Sequence, residues 1–350
     1  MSLRLLIILI LLVDALSGCS GSTSEPSSPV ATVSMASKEI QTVSKSVPQK
    51  GKADSKSLLG ASRPTLPARV TTKHELFPAG QFLSPLTERV REHLKRLSET
   101  TLHLHDDRFI KVGGSGSSTP LLLSCLDRGP IVLGDWEELK PTLTRFRRKL
   151  PDGTSPFSRK SLAAKPGGTA QWVLEGNPSP LEQEIEALQP RFALVHYGTN
   201  DMHQKGTYES AAQAFNRDMS RLLVTLQDKG IFPIITSITP REDHPKANGW
   251  IPFYNHSLRA LAQFHALPYL NIHSAILSLP NKGRAEDKLH GNVYRVNSVA
   301  RPCFFGDEAL RYSYNVRNLL TARLLDQLFR LTRGEALPAD GAETLKGDGS

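Results

Sequence analysis

The sequence has little of what marks several large protein classes. It contains only three cysteines in 350 residues, and its N-terminal apolar run, residues 5–13, is too short to span a bilayer as a helix. It shows no internal repeat and no glycine fingerprint of a dinucleotide-binding domain. These absences argue against a membrane-spanning protein, a repeat protein and a dinucleotide-dependent enzyme.

The charge is positive but scattered. The 43 Lys and Arg residues outnumber the 34 Asp and Glu residues, which gives a formal net charge of +9. The densest basic stretch is RFRRKL, from Arg145 to Leu150, and no aromatic residues alternate with the basic ones as in nucleic-acid-binding modules. We therefore expect no nucleic-acid partner. A solvated helix end, or a surface that faces anionic lipid or glycan, explains the cluster better.

The N-terminus is typical of an exported protein. Arg4, the apolar run and the ending Leu-Ser-Gly-Cys predict a secretory signal over residues 1–19. This ending resembles the lipobox of bacterial lipoproteins, which implies that Cys19 is lipidated and anchors the chain to a membrane. Ser20 is similar to an outer-membrane sorting signal. We expect a lipid-anchored protein of the bacterial cell envelope, at the outer membrane and facing the periplasm or the cell surface. The alternative is an ordinary signal peptide with an incidental cysteine.

Composition divides the rest of the chain into three parts. Residues 20–80 are rich in Ser, Pro and Lys and poor in large apolar residues, so we expect a disordered tether. Residues 334–350 have a similar composition and predict a disordered tail. One folded domain is expected over residues 81–333, and we expect it to be a monomer.

Two cysteines remain if Cys19 carries lipid. Disulfides persist in the compartments that exported proteins reach, so Cys125 and Cys303 are the predicted pair. Two buried free thiols are the alternative.

Hydrophobic periodicity predicts an α/β fold. Short, nearly continuous apolar runs predict buried strands at 108–112, 192–198, 231–238 and 267–272. Helical patterns lie at 84–100, from 120 onward, and at 135–146, 208–230, 252–266 and 307–332. Alternating strands and helices indicate a parallel sheet with helices on both faces. Ligands bind outside the carboxyl ends of such strands, where residues 113–119 and 198–201 are expected.

Four short segments carry residues suited to ester chemistry. The first segment is VGGSGSS (112–118), the second KPGGTA (165–170), the third HYGTND (196–201) and the fourth EDKLHGN (286–292). A serine needs a base to accept its proton, and a histidine needs an acid to hold its tautomer. The four segments supply a serine, an amide and an Asp–His pair in a fixed order.

In this order the segments resemble the blocks of the SGNH/GDSL hydrolases. Gly-Thr-Asn-Asp is similar to that family's Gly-x-Asn-Asp block, Asp287-x-x-His290 to its last block, and Pro-Gly-Gly-Thr to its second block. The resemblance implies a three-layer α/β/α fold with a flavodoxin-like, mostly parallel sheet of about five strands. It also implies a serine esterase that cleaves acyl esters of envelope glycans or lipids through an acyl-enzyme, without a cofactor or metal.

The resemblance also assigns roles to individual residues. Ser115 is the implied nucleophile, His290 its base and Asp287 the residue that orients the imidazole. The Ser115 N–H, the Gly167 N–H and the Asn200 side-chain amide are the implied oxyanion donors, with Gly168 as the substitute if the register differs by one.

The first segment departs from the family pattern. It reads Gly113-Gly114-Ser115 where the family has Gly-Asp-Ser, so the aspartate that usually helps to fix the nucleophile turn is a glycine. A linker serine at 115 is one alternative, and a turn at Asn200-Asp201 that only caps the following helix is another. A catalytically decayed surface lipoprotein that binds glycan is the rival function.

The remaining histidines are assigned to surface or core positions. His196, His203 and His244 have no role in the predicted chemistry. HLHDD, residues 103–107, groups two histidines with two carboxylates, and a solvated strand start explains it better than a metal site.

Overall fold

The computed structural model describes residue 77 and residues 80–203 and 206–337. The predicted signal segment with Cys19, nearly all of the predicted tether and the tail beyond residue 337 lie outside the described residues. The predicted folded domain, 81–333, falls within them apart from residues 204 and 205.

The described chain alternates helices and strands. In chain order the elements are α1 Glu88–Thr100, β1 His105–Gly113, α2 Ser115–Ser118, α3 Cys125–Arg128, α4 Lys140–Phe146, α5 Pro180–Leu188, β2 Pro190–His196, α6 Tyr208–Asp228, β3 Phe232–Thr236, α7 Pro245–His265, β4 Tyr269–Leu270, α8 Ile272–Leu277, β5 Arg295–Val296, β6 Val299–Ala300 and α9 Ser313–Thr332. Single 3₁₀ turns connect several of them, among them Asp201–His203.

The main sheet is parallel, and its strands β2 and β3 are completely buried. Strands β1, β2, β3 and β4 lie side by side in that order, with Phe109 opposite Phe192 and Phe192 opposite Phe232. Every residue of β2 and β3 is buried, as expected for strands covered by helices on both faces. The predicted α/β fold, a parallel sheet flanked by helices, is confirmed.

The sheet has four strands in the described chain instead of about five. On the outer side of β1, Gly113 donates its N–H to Ala163 O (3.1 Å) and accepts from Lys165 N (3.1 Å). This single bridge lies where a flavodoxin-like sheet would have its second strand. Pro166 and two glycines follow at once, and a proline cannot donate to a ladder, so the strand ends after one bridge.

The predicted helices differ from the observed ones mainly at their ends. α6 is close to its prediction, whereas α7 begins seven residues early, at Pro245, because the His244 side chain accepts a hydrogen bond from Ala247 N. The helix predicted from residue 120 begins only at Cys125 and is four residues long. Leu123 has a left-handed φ of 62°, which no helix interior tolerates, and its N–H donates to Asn318 Oδ1 instead.

Two features connect α9 and the segment before it to the rest of the domain. The predicted disulfide between Cys125 and Cys303 is present, and it ties the segment after α2 to the segment before α9. α9 is buried along most of its length. None of the helices in residues 80–203 and 206–337 combines the length and apolar character that crossing a membrane requires.

Candidate active site

The first and third segments meet at the carboxyl edge of the sheet. β1 ends at Gly113, and α2 begins two residues later at Ser115. β2, its neighbour, ends at His196 and leads into the loop with Asn200. A small cavity there is lined by both loops, including Ser115 and Asn200.

The fourth segment brings its histidine to the serine from far along the chain. His290 Nε2 lies 2.9 Å from Ser115 Oγ, although the two residues are 175 positions apart. The other ring nitrogen, Nδ1, lies 2.6 Å from Asp287 Oδ2. Serine, imidazole and carboxylate therefore form one continuous hydrogen-bonded chain, as acyl transfer by a serine requires.

A tight turn brings the side chains of Asp287 and His290, three residues apart in sequence, into contact. Asp287 Oδ1 accepts the N–H groups of Leu289 (3.0 Å) and His290 (2.9 Å), which leaves Oδ2 directed at the ring. Burial acts to raise the pKa of Asp287, but hydrogen bonds from His290 and Leu289 outweigh it and lower that pKa below its ordinary value. The carboxylate therefore stays charged, and its side chain, 50 % exposed, remains open to solvent.

The amide of Asn200 lies beside the nucleophile turn. Its Nδ2 donates to Gly168 O at 2.9 Å, and one further N–H of this group remains for a ligand. The Gly168 N–H is used in a turn to Lys165 O (3.1 Å), so Gly168 is not the free donor. Among the described residues, the N–H groups of Gly167 and Ser115 have no hydrogen-bond partner.

The backbone conformation of Gly114 is open to any residue, but there is little space for a side chain at this position. Its φ of −84° and ψ of −154° are open to any residue. A Cβ on it, however, would lie 2.9 Å from Asn200 Nδ2. A side chain at position 114 would therefore require the Asn200 amide, an oxyanion candidate, to shift.

Asp201 connects the second and third segments and does not cap a helix. Its carboxylate accepts the N–H groups of Ala170 (2.8 Å) and Gly198 (2.8 Å), whereas the next helix, α6, is capped by Thr207. Burial raises the pKa of Asp201 to about 6, although the two hydrogen bonds act to lower it. The alternative of a simple helix cap is wrong. No local pattern indicates this contact, because Ala170 lies 31 residues away from Asp201 in the chain.

The other histidines have structural partners. His196 is buried and bonded to Arg317, and burial, followed by the Arg317 charge, lowers its pKa well below the ordinary value. His203 lies 2.8 Å from an Arg241 nitrogen, and His244 caps α7.

The HLHDD carboxylates also have structural partners. Asp106 pairs with Arg191 and Asp107 with Arg148. In the described ranges no group of three or more His, Cys, Asp or Glu side chains is arranged to hold a metal.

A wide cleft opens above the serine and histidine. Its volume is about 970 Å³, and charged, polar and apolar side chains all contribute to its walls. Its lining includes Ser115, Ser118, Thr119, Leu121, Pro166, Arg284, Glu286, Asp287, His290, Val293, Arg295 and Tyr314.

A parallel α/β sheet with a serine, a histidine and an aspartate at its carboxyl edge is the framework of an SGNH-type hydrolase. A family model, that of the GDSL-like Lipase/Acylhydrolase family, matches residues 133–293, so this part of the chain is similar to that family. The match contains the second, third and fourth segments but begins after Ser115. The geometry alone therefore supports the choice of this serine.

Several solved structures are similar to this chain at low identity and low TM-score. A GDSL-like lipase from Bacteroides thetaiotaomicron is 15% identical with a TM-score of 0.39, and the match covers 68% of this chain and 98% of that one. A lipase/acylhydrolase from Enterococcus faecalis is 13% identical with a TM-score of 0.40, covering 62% and 94%. An acetylxylan esterase from Geobacillus stearothermophilus is 11% identical with a TM-score of 0.38, covering 62% and 93%. A search of curated proteins finds no match.

Proposed function

We propose that the protein is a serine esterase that acts on acyl esters through an acyl-enzyme. The observation that carries this proposal is the hydrogen-bonded chain from Ser115 Oγ to His290 (2.9 Å) and from His290 to Asp287 (2.6 Å). Ser115 Oγ attacks the ester carbonyl while His290 takes its proton, and the C–O bond to the alcohol breaks as His290 returns that proton. Water then repeats the sequence on the acyl-serine and releases the carboxylic acid.

The oxyanion is stabilised by donors on three segments of the chain. The N–H groups of Ser115 and Gly167 and the Nδ2 of Asn200 are the assigned donors, and removal of one such donor typically costs about 3 to 4 kcal/mol in the transition state. Asn200 is held by its bond to Gly168 O, so its amide is oriented before substrate binds.

The cleft offers both charged and apolar contacts to a substrate. Charged side chains such as Arg284, Glu286 and Arg295 line it, and Leu121 and Val293 add apolar surface. We propose an O-acetylated envelope glycan as the substrate because the three charged side chains can bind a polar carrier, and a long-chain lipid ester is the alternative. Comparison of acetate release from such a glycan with fatty-acid release from a phospholipid tests this choice.

Labelling with a fluorophosphonate tests the chemistry directly. The wild-type protein should be labelled at Ser115 and should hydrolyse p-nitrophenyl acetate, and Ser115→Ala should lose both activities. Ser124→Ala is the matched control because this hydroxyl does not line the cleft. Equal hydrolysis by Ser115→Ala would refute the assignment, and an unlabelled wild-type protein would favour the glycan-binding alternative.

We further propose that Cys19 anchors this esterase to the bacterial outer membrane. The lipobox-like sequence before Cys19 supports the proposal. In bacterial cells, Cys19→Ser should move the protein from the membrane fraction to the soluble fraction. Retention of the variant in the membrane fraction would contradict lipid anchoring at this residue.

A further inference from the structure

A buried guanidinium lies under the nucleophile turn. Arg317, on α9, is only 6% exposed. Its Nη1 donates to Gly116 O at 3.0 Å, and its Nη2 lies 3.1 Å from His196 Nδ1. Within the described part of the chain, no Asp or Glu forms an ion pair with it.

This placement is costly for stability. A charged group buried without a counter-ion loses its hydration and regains little, and an apolar residue of similar size is often as stable or more so. Burial lowers the pKa of Arg317, yet an arginine side chain stays protonated in proteins. Stability of the fold therefore does not account for a cation at this position. We look for its role in the contact with Gly116.

The contact acts on the residue next to the nucleophile. α2 has only four residues, and a helix of one turn is not stable by itself. Arg317 holds the Gly116 carbonyl from outside and so fixes the turn that displays Ser115. A cavity of about 40 Å³ is lined by Arg317, Ser115 and His290 together, which places the guanidinium directly behind the reacting pair.

Gly116 is shaped for this approach. A Cβ on it would lie 3.1 Å from Arg317 Nη1 and 3.4 Å from His196 Cε1. The glycine lets the guanidinium come within hydrogen-bonding distance of the main chain. It also supplies a second way to disturb the contact.

We propose that Arg317 is a positioning residue for Ser115. In the related hydrolases an aspartate before the serine helps to fix the nucleophile turn. Gly114 has no side chain to do this, so Arg317 on α9 fixes the turn instead. The inference rests on the proposed esterase function. It adds a residue that neither the four segments nor the family resemblance contains.

The test compares Arg317→Met and Arg317→Lys with Arg323→Met. Arg323 is a matched control, since it lies on the same helix but stacks over Trp136. Kinetics with p-nitrophenyl acetate, the fluorophosphonate labelling rate and the melting temperature are measured for each. Arg317→Met should lower kcat and the labelling rate by about a hundredfold, the effect of moving a nucleophile by about 1 Å, with KM unchanged. Its melting temperature should stay the same or rise.

Arg317→Lys should retain more of the kcat and labelling rate than Arg317→Met does. Lysine keeps the charge, but its ammonium lacks the planar fork that serves two acceptors, so we expect about a tenfold loss for Arg317→Lys. A residue with only a structural role would instead lower the melting temperature and leave kcat intact.

Gly116→Ala keeps the test decisive if Arg317→Met does not fold. The added methyl group should push the guanidinium away and reproduce the loss of kcat while Arg317 remains present. Wild-type kcat and labelling in a folded Arg317→Met protein, or in Gly116→Ala, would overturn the inference and leave the esterase function standing. A wild-type protein that neither hydrolyses the ester nor reacts with the probe would overturn both.

Discussion

Asn200 Nδ2 occupies the space that a side chain on residue 114 would need, with a separation of 2.9 Å from a Cβ placed there. The family's aspartate therefore cannot be restored without moving the amide assigned to the oxyanion. Gly114→Asp should lower kcat for p-nitrophenyl acetate by about tenfold, less than the hundredfold or more expected when such a donor is removed outright. Gly114→Ala should have a similar but smaller effect.

Gly306→Ala is the control for these variants. A Cβ on Gly306 would meet no atom within 4 Å, so this change should leave kcat unaltered. If Gly114→Asp increases kcat, then the glycine is a defect of the nucleophile turn and the crowding by Asn200 is unimportant.

The Asp287 carboxylate should matter for catalysis far more than for folding. In Asp287→Asn an amide replaces the charged acceptor of the His290 N–H, so the imidazole loses both its fixed tautomer and the stabilisation of its protonated form. We expect kcat to fall by about 10³- to 10⁴-fold. The melting temperature should change little because half of the side chain is exposed. Asp307→Asn, at an exposed carboxylate outside the cleft, is the control.

The disulfide should account for a sizeable part of the domain's stability. Cys125 and Cys303 are 178 residues apart in sequence, and cross-links that close long loops restrict the unfolded chain most. We expect reduction to lower the free energy of unfolding by about 3 to 5 kcal/mol, measured by urea denaturation with and without dithiothreitol. A double Cys125→Ser, Cys303→Ser variant should have the same free energy of unfolding as the reduced protein. Dithiothreitol should not change that value. An unchanged urea midpoint on reduction would contradict this role.

Local patterns predicted the sheet well because buried parallel strands are short apolar runs that end in glycine or polar turns. β2, for example, was expected at 192–198 and lies at Pro190–His196. The four segments likewise led to Ser115 and His290, which the structure places in contact. Both inferences use information carried within a few residues.

Long-range contacts account for what the sequence did not reveal. The first five residues of the helix expected from residue 120 form turns because Asn318, almost 200 residues away, binds Leu121 O and Leu123 N. The helical pattern of residues 307–332 does not distinguish Arg317 from its neighbours. Its acceptor, Gly116 O, is 201 positions distant in the sequence. A hydrogen bond between distant segments leaves no periodicity in either of them, so only the folded chain shows it.

Lys111 provides a test of stability against pH. It lies in β1 with 5% exposure and donates to Phe157 O at 3.1 Å. Burial lowers its pKa from 10.5 to about 8, against a smaller opposing effect of Glu184. Below pH 8 both the folded and the unfolded chain carry the charge, so the folded state bears the whole cost of burying it. Between pH 8 and 10.5 the folded state releases the proton first, and the cost disappears as the pH rises.

Lys111→Met removes that charge and keeps the length of the side chain. The pKa difference corresponds to about 3 kcal/mol, and the lost bond to Phe157 O offsets about 1 kcal/mol of it. The variant should therefore be more stable than the wild type by about 2 kcal/mol at about pH 7, and this advantage should disappear towards about pH 10. Urea denaturation at both pH values measures the difference, with Lys160→Met, at an exposed lysine, as the control that should show no such trend. An advantage that grows with pH would mean that the fold raises the pKa of Lys111 above its ordinary value instead of lowering it.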